Sequence, residues 1–242
     1  MTDGLFSALF PDTCRICDLP LAGFSVAPVC QVCLAELAPS RPILRCLRCA
    51  RGFATREAVS AGPCGICQRE APAFDRAAVA GPYEGALRRA IHLLKYDRMT
   101  PLARPLGERL ALAASDFSGY DAIVPAPLHW GRRWDRGFNQ ADLLAREVSR
   151  RTGVPLDRRL LRTRPTPPQA GLSATERRLN VRGAFKAAGG KEAIRGKKLI
   201  VVDDVMTTGA TLEACARALK RVGAAEVAVL TLARADLESR VT

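Results

Sequence analysis

Residues 199–211 read Leu-Ile-Val-Val-Asp-Asp-Val-Met-Thr-Thr-Gly-Ala-Thr, and this stretch decides the fold of the chain. Four consecutive apolar residues, three of them β-branched, predict a strand that is buried on both faces of a parallel sheet. Two acids end the predicted strand, and a turn of small and hydroxyl-bearing residues leads into a helix. The stretch therefore predicts a ligand site at the carboxyl end of a buried strand.

The turn from Thr207 to Thr211 has the composition of a phosphate site. It carries three threonine hydroxyls, and the first turn of a helix has free backbone N–H groups that attract anions. Gly209 allows close approach of the backbone, while Asp203 and Asp204 are placed to bind sugar hydroxyls or a divalent cation. Ordinary helix capping explains one Asp and one Thr but not the whole set. A Walker A loop is excluded because no Gly-Lys-Ser/Thr is present.

Strand and helix patterns continue on both sides of this stretch. Apolar runs at residues 121–124 and 227–230 predict two more buried strands. Helical spacing recurs from Ala141 to Val148 and from Leu212 to Leu219, and Gly223 is expected to end the second helix. The alternation predicts an α/β fold, with a parallel sheet flanked by helices.

Eight of the nine cysteines lie before residue 68, in four Cys-x-x-Cys pairs. A tight turn aims both sulfurs of a pair at one metal ion, and two pairs complete the tetrahedral four-thiolate site that zinc prefers. We predict two structural Zn²⁺ sites, because catalytic zinc keeps an open coordination position. Sequential pairing is the simplest, and the spacing also permits a cross-braced arrangement. The predicted ligands are Cys14, Cys17, Cys30, Cys33, Cys46, Cys49, Cys64 and Cys67.

Disulfides and a redox-active pair are the alternatives for these cysteines. We expect a cytoplasmic protein without membrane insertion, because the sequence shows neither a secretory leader nor a long apolar run. Disulfides do not persist in that compartment, and no strand–helix–strand pattern surrounds the pairs. A short segment with little apolar pattern depends on metal to fold. We therefore predict a double zinc-ribbon module at residues 1–74 and an α/β domain at residues 75–242.

Positive charge is concentrated in one segment of the chain. The whole chain has a net charge of +13, and residues 132–198 alone hold eighteen basic and six acidic residues, net +12. This excess predicts an anionic ligand, either phosphate groups or nucleic acid. A general preference for arginine on solvated surfaces is the alternative. Two tryptophans near an arginine pair can stack bases of single-stranded DNA or serve as surface anchors. The nucleic-acid candidates are Trp130, Arg132, Arg133, Trp134 and Arg136.

Three blocks of the sequence together resemble the ComF family. Residues 199–211 are similar to the motif with which type I phosphoribosyltransferases bind phosphoribosyl pyrophosphate (PRPP). The blocks at residues 125–140 and 162–185 resemble further ComF motifs. Proteins of this family join a Cys-rich N terminus to a type I phosphoribosyltransferase-like domain, and they are associated with DNA uptake during bacterial competence.

The resemblance implies a site for PRPP and Mg²⁺. It implies that Asp203 and Asp204 are the catalytic residues and contact the ribose hydroxyls. It assigns the 5′-phosphate to residues 207–211, and the full set of PRPP-binding residues that it implies is Val205, Met206, Thr207, Thr208, Gly209, Ala210 and Thr211. The candidates that it assigns to a pyrophosphate loop and to a mobile flap at about residues 163–180 are Ala126, Pro127, Leu128, His129, Arg162, Arg164, Arg177 and Arg178.

Three functions fit these observations. The first is a magnesium-dependent phosphoribosyltransferase that acts on an unidentified acceptor. The second is a non-catalytic competence factor that binds single-stranded DNA and keeps only a vestigial sugar-phosphate pocket. In the third, the zinc ribbon docks a competence helicase or channel protein.

Overall fold

The structure is a computed structural model that describes residues 13–21, 27–37, 44–53, 62–115, 117–128, 137–164 and 173–235. Six strands lie within these ranges: β1 Arg76–Pro82, β2 Ala122–Pro125, β3 Leu160–Arg162, β4 Phe185–Ala187, β5 Lys198–Met206 and β6 Glu226–Arg234. The helices of the same ranges are α1 Gln31–Ala35, α2 Gly65–Arg69, α3 Gly85–Lys95, α4 Ala103–Ala113, α5 Gln140–Thr152, α6 Ala174–Val181 and α7 Ala210–Arg221, with a 3₁₀ turn at Thr100–Leu102.

Four strands form a parallel sheet in the order β1-β6-β5-β2. This arrangement confirms the predicted α/β fold. The strand β5 continues beyond the predicted end at Val202, because its pairing with β6 runs on to Met206 opposite Arg234. The two acids therefore lie within the strand. Successive side chains of a strand point to opposite faces, so Asp203 and Asp204 face different sides of the sheet.

Each face of the sheet has its own apolar core. Leu199 and Val201 of β5 contribute to one cluster, whereas Ile200 and Val202 contribute to the other. The first cluster contains the buried face of α7 and cysteines 46, 49, 64 and 67. The second contains residues of α3, α4 and α5 together with Cys14 and Cys33. The two cysteine groups therefore pack against opposite faces of the sheet.

The ends of the helices that flank the site are set by local chemistry. Asn139 caps α5 by accepting a hydrogen bond from the Ala141 N–H, and Gly153 ends this helix with a φ of 74°. The helix α7 begins after Gly209, which has a φ of 78°, and ends at Arg221. Gly223 follows two residues later with a φ of 98°. Glycine suits such positions because it adopts positive φ without a steric penalty.

The strands β3 and β4 form a separate antiparallel pair. The predicted flap lies between them, and its described part contains α6. Ser173 and Glu176 form a capping box at the start of this helix. Residues 165–172 of the flap lie outside the described ranges. Among the described helices, none has both the length and the apolar character needed to cross a bilayer.

Candidate active site and metal centres

The predicted phosphate site spans residues 207–211; its first part, the loop at residues 207–209, connects β5 to α7 and lines a cavity of about 650 Å³. The Thr208 hydroxyl accepts a hydrogen bond from the Ala210 N–H at 3.3 Å, which shapes the start of the helix. A Cβ on Gly209 would meet only Met206 at ordinary contact distances, so the positive φ is what favours glycine there. The loop therefore leaves space beside Gly209, and close approach of a ligand to the backbone needs such space.

The two acids of β5 have different surroundings. Asp204 is 4% exposed, and its Oδ2 accepts hydrogen bonds from Lys95 Nζ and Gln140 Nε2, both at 2.9 Å. Its Oδ1 accepts from the Val205 N–H at 2.7 Å. Asp203 is partly exposed, and its Oδ1 accepts from the Asp204 N–H at 2.9 Å. Asp203 is therefore the more exposed member of the pair.

These surroundings separate the acidities of the pair. Burial raises the pKa of Asp203 to about 7, and the neighbouring charge of Asp204 adds to this effect. Burial acts on Asp204 in the same direction. The charge of Lys95 and the hydrogen bonds from Lys95 and Gln140 outweigh it, and they lower the pKa of Asp204. The buried carboxylate stays ionised beside its ammonium partner, whereas Asp203 titrates near neutral pH.

Lys95 is a site residue that the sequence patterns did not single out. It ends α3, whose buried face includes Leu87 and Ile91 at four-residue spacing. Lys95 lies four residues after Ile91 and so continues this apolar face. A lysine in such a position needs an acidic partner, because burying an unpaired charge is costly. That spacing was the available signal, but it could not identify Asp204 as the partner.

The predicted pyrophosphate loop follows β2 and lies beside the acids. Pro125 of β2 is in register with Val202 of β5, and the Ala126 N–H donates to the Val202 carbonyl at 2.8 Å. Asn139 Nδ2 donates to the Ala126 carbonyl at 3.0 Å and ties the loop to the start of α5. Pro127 and Leu128 are partly exposed. These contacts place the described part of this loop next to Asp203.

Arg177 of the flap contacts the phosphate loop. Arg177 Nη1 donates to Thr207 Oγ1 at 3.1 Å. Arg164 Nη2 donates to the carbonyls of Asn180 and Arg182, at 3.3 and 2.9 Å, and so holds the end of α6.

The other two flap arginines have different contacts. The Arg162 guanidinium lies 5.4 Å from the centre of the Phe185 ring. Arg178 forms an ion pair with Glu70 at 3.3 Å, which connects α6 to the segment after the second cysteine group. Arg177 thus connects the flap to the phosphate loop.

The remaining predicted ligand contacts fall outside the described residues. They are His129, Trp130, Arg132, Arg133, Trp134 and Arg136.

The eight predicted metal ligands form two compact groups that follow the order of the chain. Cysteines 14, 17, 30 and 33 have their sulfurs within 4.8 Å of one another, and so do cysteines 46, 49, 64 and 67. This grouping selects the sequential pairing over the cross-braced one. The Cys17–Cys30 and Cys49–Cys64 sulfurs are 3.7 and 3.5 Å apart. Tetrahedral zinc with Zn–S bonds of about 2.3 Å implies sulfur separations of about 3.8 Å, so both groups fit a closed zinc site.

Backbone N–H groups support the thiolate form of one cysteine in each group. The Cys30 N–H donates to Cys14 Sγ at 3.3 Å, and the Cys64 N–H donates to Cys46 Sγ at 3.4 Å. Burial alone would raise the pKa of both acceptors. These hydrogen bonds and others from nearby N–H groups lower the pKa of Cys14 to about 6 and that of Cys46 to about 7. A thiolate is the form that binds metal.

A buried arginine connects the second cysteine group to β5. Arg234 Nη1 donates to the Cys49 carbonyl at 2.7 Å and contacts Met206 Sδ at 2.9 Å. Met206 is the last residue before the phosphate loop. The second metal group is thus fastened to the carboxyl end of the sheet.

Comparisons with known proteins agree with this architecture. The family model of the phosphoribosyl transferase domain matches residues 136–240. Competence protein F of Haemophilus influenzae is 37% identical over 179 residues, which cover 71% of this chain and 78% of that protein. DNA utilization protein YhgH of Escherichia coli O157:H7 is 35% identical over 231 residues, which cover 93% of this chain and 97% of that protein.

A third relative matches over a shorter stretch. Competence protein ComFC of Bacillus subtilis is 39% identical over 113 residues, which cover 46% of this chain and 44% of that protein. The parallel sheet, the two four-cysteine groups and these relatives lead to one assignment. The chain belongs to the ComF family, in which a cysteine-rich segment accompanies a type I phosphoribosyltransferase fold.

Proposed function

We propose that the chain binds PRPP together with Mg²⁺ and transfers the phosphoribosyl group to an acceptor. The observation that carries this proposal is the partly exposed Asp203 near the carboxyl end of β5, four residues before a loop that lines the cavity. A carboxylate beside a phosphate site provides the hydrogen-bond acceptor and the cation ligand that a phosphorylated sugar with Mg²⁺ needs.

In this proposal each group has a separate task. Residues 207–211 hold the 5′-phosphate through N–H groups and hydroxyls, and Asp203 accepts hydrogen bonds from the ribose hydroxyls. Mg²⁺, when bound, neutralises charge on the departing pyrophosphate. The loop after β2 orients the pyrophosphate, and Arg177 supplies positive charge from the flap. The acceptor attacks C1 of the ribose as the bond to the pyrophosphate oxygen breaks, and the closed flap excludes water.

Asp204 differs from Asp203 in this scheme, because both of its oxygens are already engaged. We infer that it fixes the geometry of the strand end and comes into reach of the ligand only if Lys95 moves. The proposal also keeps residues 75–242 as the transferase domain and residues 1–74 as the zinc-binding module.

Calorimetric titration with PRPP and Mg²⁺ tests the proposal. We expect saturable binding to the wild-type chain and at least a tenfold loss of affinity in Asp203→Asn, because a carboxamide keeps the shape but removes the charge. Glu108→Gln is the matched control, since Glu108 is an exposed acid that pairs with Arg151 on a remote helix pair. No PRPP binding by the zinc-loaded wild type, or equal affinities for all three proteins, would refute the proposal.

The charge distribution favours a second candidate function, which is binding of single-stranded DNA. Residues 132–198 hold a net charge of +12, and the printed names of the relatives connect those proteins to competence and DNA utilization. Phosphate contacts release counterions, so the affinity for an oligonucleotide should fall steeply with salt, with a slope of about 0.7 per phosphate contacted on a log–log plot. Affinity that does not change with salt would exclude this function.

A further inference from the structure

The two cysteine groups are alike in geometry and differ in exposure. In the first group, Sγ of Cys17 and Sγ of Cys30 are 3.7 Å apart, and the corresponding sulfurs of Cys49 and Cys64 in the second group are 3.5 Å apart. Cys17 and Cys30 are partly exposed, whereas Cys49 and Cys64 are only 8% and 6% exposed. A reagent in solution therefore reaches the close pair of the first group more readily than that of the second.

The packing of each group explains this difference. All four cysteines of the second group belong to the buried cluster that contains the inner face of α7. In the first group, Cys14 and Cys33 are 0% and 3% exposed, whereas Cys17 and Cys30 lie at the margin of the cluster on the other face of the sheet. The first group thus has an inner pair of sulfurs, which faces the core, and an outer pair.

Hydrogen bonds to the sheet also hold the second group closed. The Ala77 N–H of β1 donates to the Leu47 carbonyl at 2.9 Å, and Arg234 of β6 donates to the Cys49 carbonyl at 2.7 Å. In contrast, residues 18–20, which follow the first outer cysteine, are all exposed. The outer pair can therefore react without first being separated from the sheet.

Two thiolates that lie close together and are open to solvent have the arrangement of a redox-sensitive pair. A disulfide bond is about 2.05 Å long, so the sulfurs of the outer pair have about 1.7 Å left to close. The buried pair of the second group has nearly the same separation but lacks the exposure. The two pairs therefore differ in access to an oxidant and not in the distance between their sulfurs.

We propose that Cys17 and Cys30 form a peroxide-sensitive modification site, and that the first zinc site is the more labile of the two. One thiolate attacks an oxygen of the peroxide, the O–O bond breaks, and the hydroxide that leaves takes up a proton to become water. The other thiolate attacks the resulting sulfenic sulfur, the S–S bond forms, the S–O bond breaks, and a second hydroxide becomes water.

The balance of this reaction explains the loss of metal. Two thiolates give two electrons to one peroxide molecule, and two protons are consumed. Zn²⁺ bound at the first site thereby loses two of its four ligands and is released, and Cys14 and Cys33 each take up a proton. The second site stays loaded, and Cys49 and Cys67 continue to line the cavity beside the phosphate loop. The proposal is independent of PRPP and DNA binding.

Zinc release from the full zinc-loaded chain provides the test, with hydrogen peroxide as the oxidant and a chromogenic chelator as the indicator. We expect one ion per chain to leave at least tenfold faster than the other. Differential alkylation followed by mass spectrometry should identify a disulfide between Cys17 and Cys30 as the first product. Dithiothreitol and added Zn²⁺ should then restore two ions per chain, because the disulfide is reducible.

The variants Cys30→His and Cys64→His are a matched pair, because histidine can replace cysteine as a zinc ligand but cannot form a disulfide. Cys30→His should keep two ions and slow the fast release at least tenfold, whereas Cys64→His should leave the fast release unchanged. If Cys30→His holds only one ion, disulfide mapping of the wild type decides. Equal release of both ions, earlier oxidation of the second group, or a first disulfide between other cysteines would overturn the inference.

Discussion

Replacing Lys95 by Met tests the surroundings of the buried carboxylate. Removing one partner of a buried ion pair costs about 3–5 kcal/mol, because the other charge is left without compensation. The Lys95 side chain is 23% exposed, and Asp204 keeps its hydrogen bonds from Gln140 and Val205. We therefore expect the free energy of unfolding to fall by about 3 kcal/mol, the lower end of this range. In a chain of this size, that loss lowers Tm by about 6–12 °C at pH 8.

The stability deficit of Lys95→Met should depend on pH, and the pKa of Asp204 predicts the direction of this dependence. The pKa of Asp204 is lowered in the folded protein, so the stability it contributes is present above the ordinary aspartate pKa of about 4 and is lost as pH falls through the lowered value. Without Lys95, burial raises this pKa, and ionising the carboxyl at high pH becomes costly. The deficit of Lys95→Met relative to wild type should therefore be largest at pH 8 and shrink towards pH 5.

Scanning calorimetry of the zinc-loaded proteins measures both effects. Lys220→Met is the matched control, because Lys220 pairs with Asp75 in a half-exposed setting where a salt bridge contributes only about 0–1 kcal/mol. The double variant Lys95→Met/Asp204→Asn should recover most of the lost stability, since it leaves no unpaired charge. A deficit below 2 °C at pH 8, or one that grows towards pH 5, would refute the reasoning.

Three further results are expected. Calorimetric affinity for PRPP with Mg²⁺ should rise between pH 6 and 8, because burial and the adjacent acid raise the pKa of Asp203 to about 7, and Asp203→Asn should flatten this profile. Zinc analysis should find two ions per chain in the wild type and one ion per chain in Cys17→Ser or Cys49→Ser. PRPP affinity should fall only in Cys49→Ser, because Cys49 and Cys67 line the cavity beside the phosphate loop. Gly107→Ala should lower Tm, because its methyl group would overlap the Glu147 side chain and such overpacking costs about 1–3 kcal/mol.

Local patterns in the sequence were sufficient to predict the sheet and the metal ligands. A run of β-branched residues shows that a strand is buried on both faces, and a Cys-x-x-Cys turn brings two sulfurs to one point whatever surrounds it. The pairing of the cysteine turns required the structure, because it depends on which turns meet in space. The sequence also could not show that the two groups pack against opposite faces of the sheet.

The acids of β5 show the same limit. Their identity and their place before a glycine-containing turn predict a sugar-phosphate site, because those features depend on neighbouring residues. Their different roles follow from pairing with β6, which extends the strand and turns the two side chains to opposite faces. They also depend on Lys95 and Gln140, which reach Asp204 from helices distant in sequence.

By itself, the sequence predicted the parallel α/β fold, the eight cysteines of the two groups and the candidate phosphate loop, because each prediction depends on residues a few positions apart. The tertiary structure alone decided which acid is partly exposed, which cysteines cluster together and which segments line the cavity beside residues 207–209. Those properties depend on distances between segments far apart in the chain, and burial and charge pairing act only once folding has brought the segments together.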